Sequence, residues 1–160
     1  MSAEFVIRPA RPDDVELIYS MVVGLAEYER ARDRVHGTPA LLHRALFGPA
    51  PAAEAVIAER DGSGVGFAIF HGTFSTWECR AGLWLEDLFV LAEHRRGGVG
   101  EALLRHVARI AVERDCARFE WAALDWNTPA LQFYEKLGAE ALGEWKLHRL
   151  SADALIAASR

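Results

Sequence analysis

The sequence predicts an α/β fold: one domain, residues 1–160, in which a mixed sheet carries helices on both faces. Apolar residues alternate between strand and helix periods in the order strand, helix, helix, three strands, helix, strand, helix, strand. The length of 160 residues suits a single core, and 51% hydrophobic with 26% charged residues is a globular composition. A glycine hinge, Gly97-Gly98-Val99-Gly100, stands between an apolar strand and an amphipathic helix.

Each element has its own signal. "FVIRPA" (5–10) reads as the first strand, and residues 11–33 as a helix with Pro12 near its start and Val15, Ile18, Val22 and Leu25 on one face. "TPALLHRALF" is a short helix capped by Thr38, with Pro39 at the first helical position, where its missing N–H is not needed. "AEAVIAER" and "VGFAIFHGTFST" flank the turn Asp61 to Gly64 as an antiparallel hairpin, and "AGLWLEDLFV" adjoins them. After the hinge, Leu103, Val107, Ile110 and Ala111 form the buried stripe of a helix reaching about Cys116. "ARFEWAAL" is a strand, and residues 127–139 are a helix capped by Asn127 and stopped by Gly138. "EWKLHRL" is expected as a last strand, and residues 151–160 as a terminal helix capped by Ser151.

Several function classes are disfavoured. A net charge of -5 argues against a phosphate-tracking nucleic-acid binder and suits cationic partners. Cys79 and Cys116 form no CxxC pair and the six histidines show no ligand spacing, so no metal is expected. No apolar run approaches the roughly 18 residues that cross a bilayer. The first ten residues lack the pattern of a signal peptide, which makes the cytoplasm the expected compartment.

Two features point to chemistry. Glu86 and Asp87 interrupt an apolar strand, where adjacent carboxylates are costly unless they meet solvent, partners or substrate. Strand alternation predicts that they point to opposite faces and play different roles. The glycine hinge opens a helix, whose first amides lack intrahelical partners and sit at the positive end of the dipole: a cradle for phosphate. A P-loop would need Lys and Ser or Thr where Glu101 and Ala102 follow Gly100, and a dinucleotide fingerprint would need a small residue at Leu103.

What remains, Arg95-Arg96-Gly97-Gly98-Val99-Gly100, resembles the acetyl-CoA pyrophosphate loop of the GNAT superfamily of N-acetyltransferases. Asn127, Ala130, Phe133, Tyr134 and Gly138 match that superfamily's N-x-x-A-x-x-F-Y-x-x-x-G signature. "LAEYE", "VGFAIF", "LWLEDLFV" and "DWNTPALQFYEKLGA" bring the likeness closest to the spermidine/spermine (diamine) acetyltransferase branch. The chain departs from that branch at Arg96 and Gly97 and matches only loosely over residues 35–53.

The resemblance implies a mostly antiparallel central sheet and an acetyl-CoA-dependent N-acetyltransferase. The acceptor would be a primary amine of a small cation: a polyamine, a diamine or a thialysine-like amino acid. It assigns the cofactor to the backbone of Phe89 and Val90, to Arg95, Arg96, Gly97, Gly98, Val99 and Gly100, and to Asn127 and Phe133. An alkylamine is mostly protonated at neutral pH, so a carboxylate must attract it and accept its proton, directly or through water; Glu86 takes that part. Tyr134, a hydroxyl that stays protonated, would protonate the departing thiolate. Glu27, Tyr28, Glu29 and Asp87 would bind the amine. A homodimer is implied by analogy. The alternatives are a protein amine or aminoglycoside as acceptor, or a non-catalytic acyl-CoA-binding sensor.

Overall fold

A computed structural model describes residues 4–160. The chain forms two compact units, Met1–Ala122 and Ala123–Arg160. In the first, β1 (Val6–Pro9), α1 (Val15–Tyr28), α2 (Pro39–Phe47), β2 (Glu54–Arg60), β3 (Ser63–Ser75), β4 (Arg80–Val90), α3 (Val99–Glu113) and β5 (Phe119–Trp121) follow in chain order. The strands form one sheet, β1-β2-β3-β4-β5. β1 to β4 pair antiparallel and β5 runs parallel to β4, so the sheet is mixed and mostly antiparallel, as expected.

Strand alternation sorts the core into two layers. Ile57, Phe67 and Phe89 stand in one register row and pack with Ile18 and Met21 of α1 and Leu46 of α2. Phe67 is fully buried, which contributes about 2–3 kcal/mol relative to an exposed ring. The opposite face belongs to α3. A Cβ built on Gly66 would lie 3.3 Å from Leu103 and 3.2 Å from Val90, and 2.9 Å from the Phe89 carbonyl, so a side chain there would force α3 and β4 away. Leu103 and Val107 are fully buried, as the helical stripe predicts. Arg114 at the end of α3 grips Glu54 at the start of β2 through two hydrogen bonds of 2.6 and 2.7 Å.

Local signals account for most boundaries. The Thr38 hydroxyl accepts the Leu41 N–H at 3.2 Å and opens α2. α1 ends at Tyr28, short of the expected residue 33, because Arg30 enters the left-handed region with φ 57°. β5 keeps only three residues of the expected eight.

The second unit holds α4 (Thr128–Lys136) and α5 (Ala152–Ala158). Asn127 Oδ1 accepts the Ala130 N–H at 3.4 Å, and Gly138 closes α4 with φ 85°. Ser151 precedes α5 with extended backbone, but its side chain makes no capping bond. The expected strand at 144–150 does not form. Among the described residues it has no strand partner, and Trp145 and Leu147 stay largely exposed. Alternation alone stabilises no strand without a ladder and a face to cover.

Candidate active site

The site is built around an irregularity in β4. Phe70 pairs with Leu85 and Ile69 with Asp87, leaving Glu86 as an extra residue, a β-bulge. Ile69 and His71 share the α1 side of β3, so their partners Asp87 and Trp84 share it too. The Trp84 indole N–H donates to Glu86 Oε2 at 3.1 Å, and His71 Nε2 lies 3.7 Å from the same oxygen. Glu86 therefore opens to the same side as Asp87. This corrects the expectation of opposite faces, because the bulge adds one residue to the count and cancels the alternation.

The result is a concentration of negative charge. Asp87 is pushed up to about 6 by burial, then by Glu86 and then by Glu29. Burial also raises Glu29, the residue after the last turn of α1. Among the described residues no basic side chain forms an ion pair with Asp87. Glu27 stands apart from this group: its carboxylate is exposed and 4.0 Å from Arg32 Nε. Tyr28 presents its ring to the guanidinium of Arg95, 5.1 Å from the ring centre.

Arg95 is held on the α1 side. Its Nε donates to the Val90 carbonyl at 2.9 Å and its guanidinium also lies 5.2 Å from the Phe89 ring. It is the loop arginine expected on phosphate, and in this structure it braces the end of β4. Arg96 is exposed, with φ 64°.

The glycine loop is arranged as an anion cradle. Gly98, φ 79°, is the residue before α3, and no side chain caps the helix. The first internal bond runs from the Ala102 N–H to the Gly98 carbonyl at 3.0 Å, so the amides of Val99, Gly100 and Glu101 precede the helical ladder. Gly98 needs its lack of a side chain for its backbone angle. Gly100 has no such need: a Cβ there would meet only Leu88 and Val90 at 3.7 Å. The protein leaves room at Gly100 where a ligand group can approach the amide.

An open strand edge lies beside the loop. β5 pairs only with Leu83 to Leu85, so beyond Leu85 that edge of β4 has no strand partner among the described residues. Leu91 N–H bonds to Val65 O, which turns the backbone groups of Phe89 toward β3 and those of Leu88 and Val90 toward the open edge. Of the pair expected to receive an extended ligand, Val90 directs its backbone groups to the open edge and Phe89 directs its own to β3. Leu88, which motif reading missed, shares the orientation of Val90.

Other residues carried no signal in the sequence. Arg60, at the end of β2, places Nη1 3.4 Å from His94 Nδ1 and lies under the loop, 3.6 Å from where a Gly97 Cβ would be. Its Nε is buried without a hydrogen-bond partner among the described residues. His71 and Trp84 meet Glu86 only because the bulge turns it toward them. A lone Arg, His or Trp in a strand announces none of this.

In the second unit, Phe133 and Tyr134 are adjacent on α4 with ring centres 5.4 Å apart. Asn127 sits at the N-cap of the same helix, so three of the motif residues belong to one short element.

Comparison with known proteins agrees with this architecture. The acetyltransferase (GNAT) family matches residues 22–139. Thialysine N-epsilon-acetyltransferase of Sus scrofa is 33% identical over 164 residues, covering 96% of both chains. Human spermidine/spermine N(1)-acetyltransferase-like protein 1 is 30% identical over 95% of this chain and 23% of its own length. The solved structure of an integron cassette protein from the mobile metagenome of V. cholerae superimposes with a TM-score of 0.81 at 24% identity, over 100% of this chain and 99% of that one. The chain is therefore an acetyl-CoA-dependent N-acetyltransferase of the GNAT family.

Proposed function

We propose that this enzyme, with residues 1–160 acting as one domain, transfers acetyl from acetyl-CoA to a primary amine of a small cation by direct attack in a ternary complex. The acceptor class is a polyamine, a diamine or a thialysine-like amino acid. One observation carries the acceptor class: Glu29, Glu86 and Asp87 crowd together, and Asp87 is held up at about 6 with no ion-pair partner among the described residues. A cationic substrate relieves that field. Thialysine acetyltransferase is the activity named for a relative that covers almost the whole chain, which supports the same class.

The diphosphate of the coenzyme fits the amides of Val99, Gly100 and Glu101, with Gly97, Gly98 and Arg96 shaping the approach. Its pantetheine arm fits the backbone of Leu88 and Val90 as an added strand. Acetyl-CoA supplies the activated acyl group. Glu86 removes a proton from the ammonium, directly or through water, while Asp87 and Glu29 hold the cation. Tyr134 donates a proton to the thiolate as it leaves. Asn127 and Phe133 support the coenzyme by their place in the shared motif. By the same resemblance the working form is a homodimer, with the cytoplasm as its expected compartment.

A thiol-release assay with acetyl-CoA and a panel of spermidine, putrescine, thialysine, a lysine peptide and an aminoglycoside tests the acceptor class. Saturable release is expected with one or more of the first three. Release confined to the peptide or the aminoglycoside would replace this class, and binding of acetyl-CoA without release on any amine would reduce the protein to a sensor.

A further inference from the structure

His71 of β3 belongs to no motif in the sequence, yet it stands at the candidate base. It faces Trp84 across the β3–β4 ladder, and its Nδ1 lies 3.1 Å from the Gly72 carbonyl oxygen. A carbonyl accepts only from an N–H, so the ring carries its hydrogen on Nδ1 and, when neutral, presents Nε2 as an acceptor. Nε2 is 3.7 Å from Glu86 Oε2, beyond direct hydrogen-bond length and within reach of one small rotation or one bridging water. The Trp84 N–H can only donate to that oxygen, whereas His71 can both receive and release a proton.

We propose that His71 is a positioning residue of the deprotonation step, accepting from Glu86 and passing on to water the proton that Glu86 removes from the amine. The proposal rests on the assignment of Glu86 as base. An ammonium acceptor loses two protons from nitrogen per turnover, one before attack and one after; one ends on the thiolate, and the other must leave the site. The ammonium gives its proton to Glu86, the resulting carboxylic acid gives it to Nε2 of His71, and the imidazolium releases it to water. The carboxylate is restored and no electrons change hands. An amine seated on Glu86 covers the carboxylate's open side. His71, on the neighbouring strand and 36% exposed, keeps that oxygen connected to solvent.

The charged groups around His71 suit a transient cation. β4 contributes Glu86 and Asp87, and the residue that follows α1, Glu29, acts on Asp87. β5 contributes Glu120, opposite Trp84 and paired with Arg118 at 2.9 Å. Glu54 of β2, opposite Phe70 and engaged by Arg114, faces the α3 side of the sheet and lies away from His71.

The test is the pH profile of kcat at saturating acetyl-CoA for the wild type, His71→Gln, Glu86→Gln and the double variant, with melting curves for each. His71→Asn serves as a second variant should glutamine disturb the strand. His71→Gln is expected to lower kcat by about 10-fold at neutral pH, to alter the profile, to leave the KM for acetyl-CoA unchanged, and to recover in part with added imidazole. In the Glu86→Gln background, loss of His71 should cost nothing further. Wild-type turnover in both His71 variants, or equal losses in both backgrounds, overturns the relay while leaving Glu86 as base. Unimpaired Glu86→Gln would instead remove the base assignment, and the relay with it.

Discussion

The carboxyl of Asp87 on β4 lies in the field of Glu29, which follows the last turn of α1, and both acids are raised by burial. Asp87 moves from an ordinary 3.8 to about 6, which disfavours its charged form in the folded protein. The two states differ little below about pH 3, where both are protonated. Stability then falls as pH rises from 3.8 to about 6 and levels off above, because the unfolded chain gives up this proton more easily. Asp87→Asn should therefore stabilise the protein by on the order of 1–3 kcal/mol at pH 8 and by no more than about 0.6 kcal/mol at pH 4. Thermal or urea unfolding at the two pH values reads this directly, and equal stabilities at pH 8 would remove the burial argument.

The same shift governs amine binding. A cation needs the Asp87 carboxylate ionised, so affinity for spermidine or thialysine should rise by about tenfold between pH 5 and pH 7. Calorimetry across that range measures it. The dependence should largely vanish in Asp87→Asn, with weaker binding throughout, and an unaltered pH dependence would take Asp87 out of the amine site.

Tyr134→Phe removes only a hydroxyl. Loss of a general acid should lower kcat by about 10-fold or more while acetyl-CoA still binds. Steady-state kinetics at saturating substrate, beside a binding titration, separate the two effects. Unchanged turnover would assign the thiolate's proton to another donor.

Much of this was legible in the letters, and what was not has a physical reason. Thr38 and Asn127 stand where a helix needs a cap, and each accepts the expected amide. Leu103 and Val107 recur at helical spacing and meet one face of the sheet. The loop between β4 and α3 needed only its glycines to be found. Local signals could not reveal which way Glu86 points, because a bulge depends on the register of two strands. The strand expected at 144–150 had the right alternation and no partner to pair with. Arg95 is expected on phosphate, and its contact with the Tyr28 ring, far away in sequence, is one that no local signal announces.

The amides that open α3 are the proposed seat of the coenzyme's diphosphate. Gly98→Ala would test conformation, since φ 79° costs an L residue roughly 1–2 kcal/mol. Gly100→Ala is cleaner: its Cβ meets the protein only at ordinary contact distance, so the fold should tolerate it and only an approaching ligand should suffer. The direct measurement is a calorimetric titration of acetyl-CoA into the wild type and Gly100→Ala, with melting temperatures alongside. Saturable binding to the wild type, weakened by about tenfold or more in a variant of unchanged stability, is the predicted result. No binding to the wild type, or equal affinity in both proteins, would contradict it.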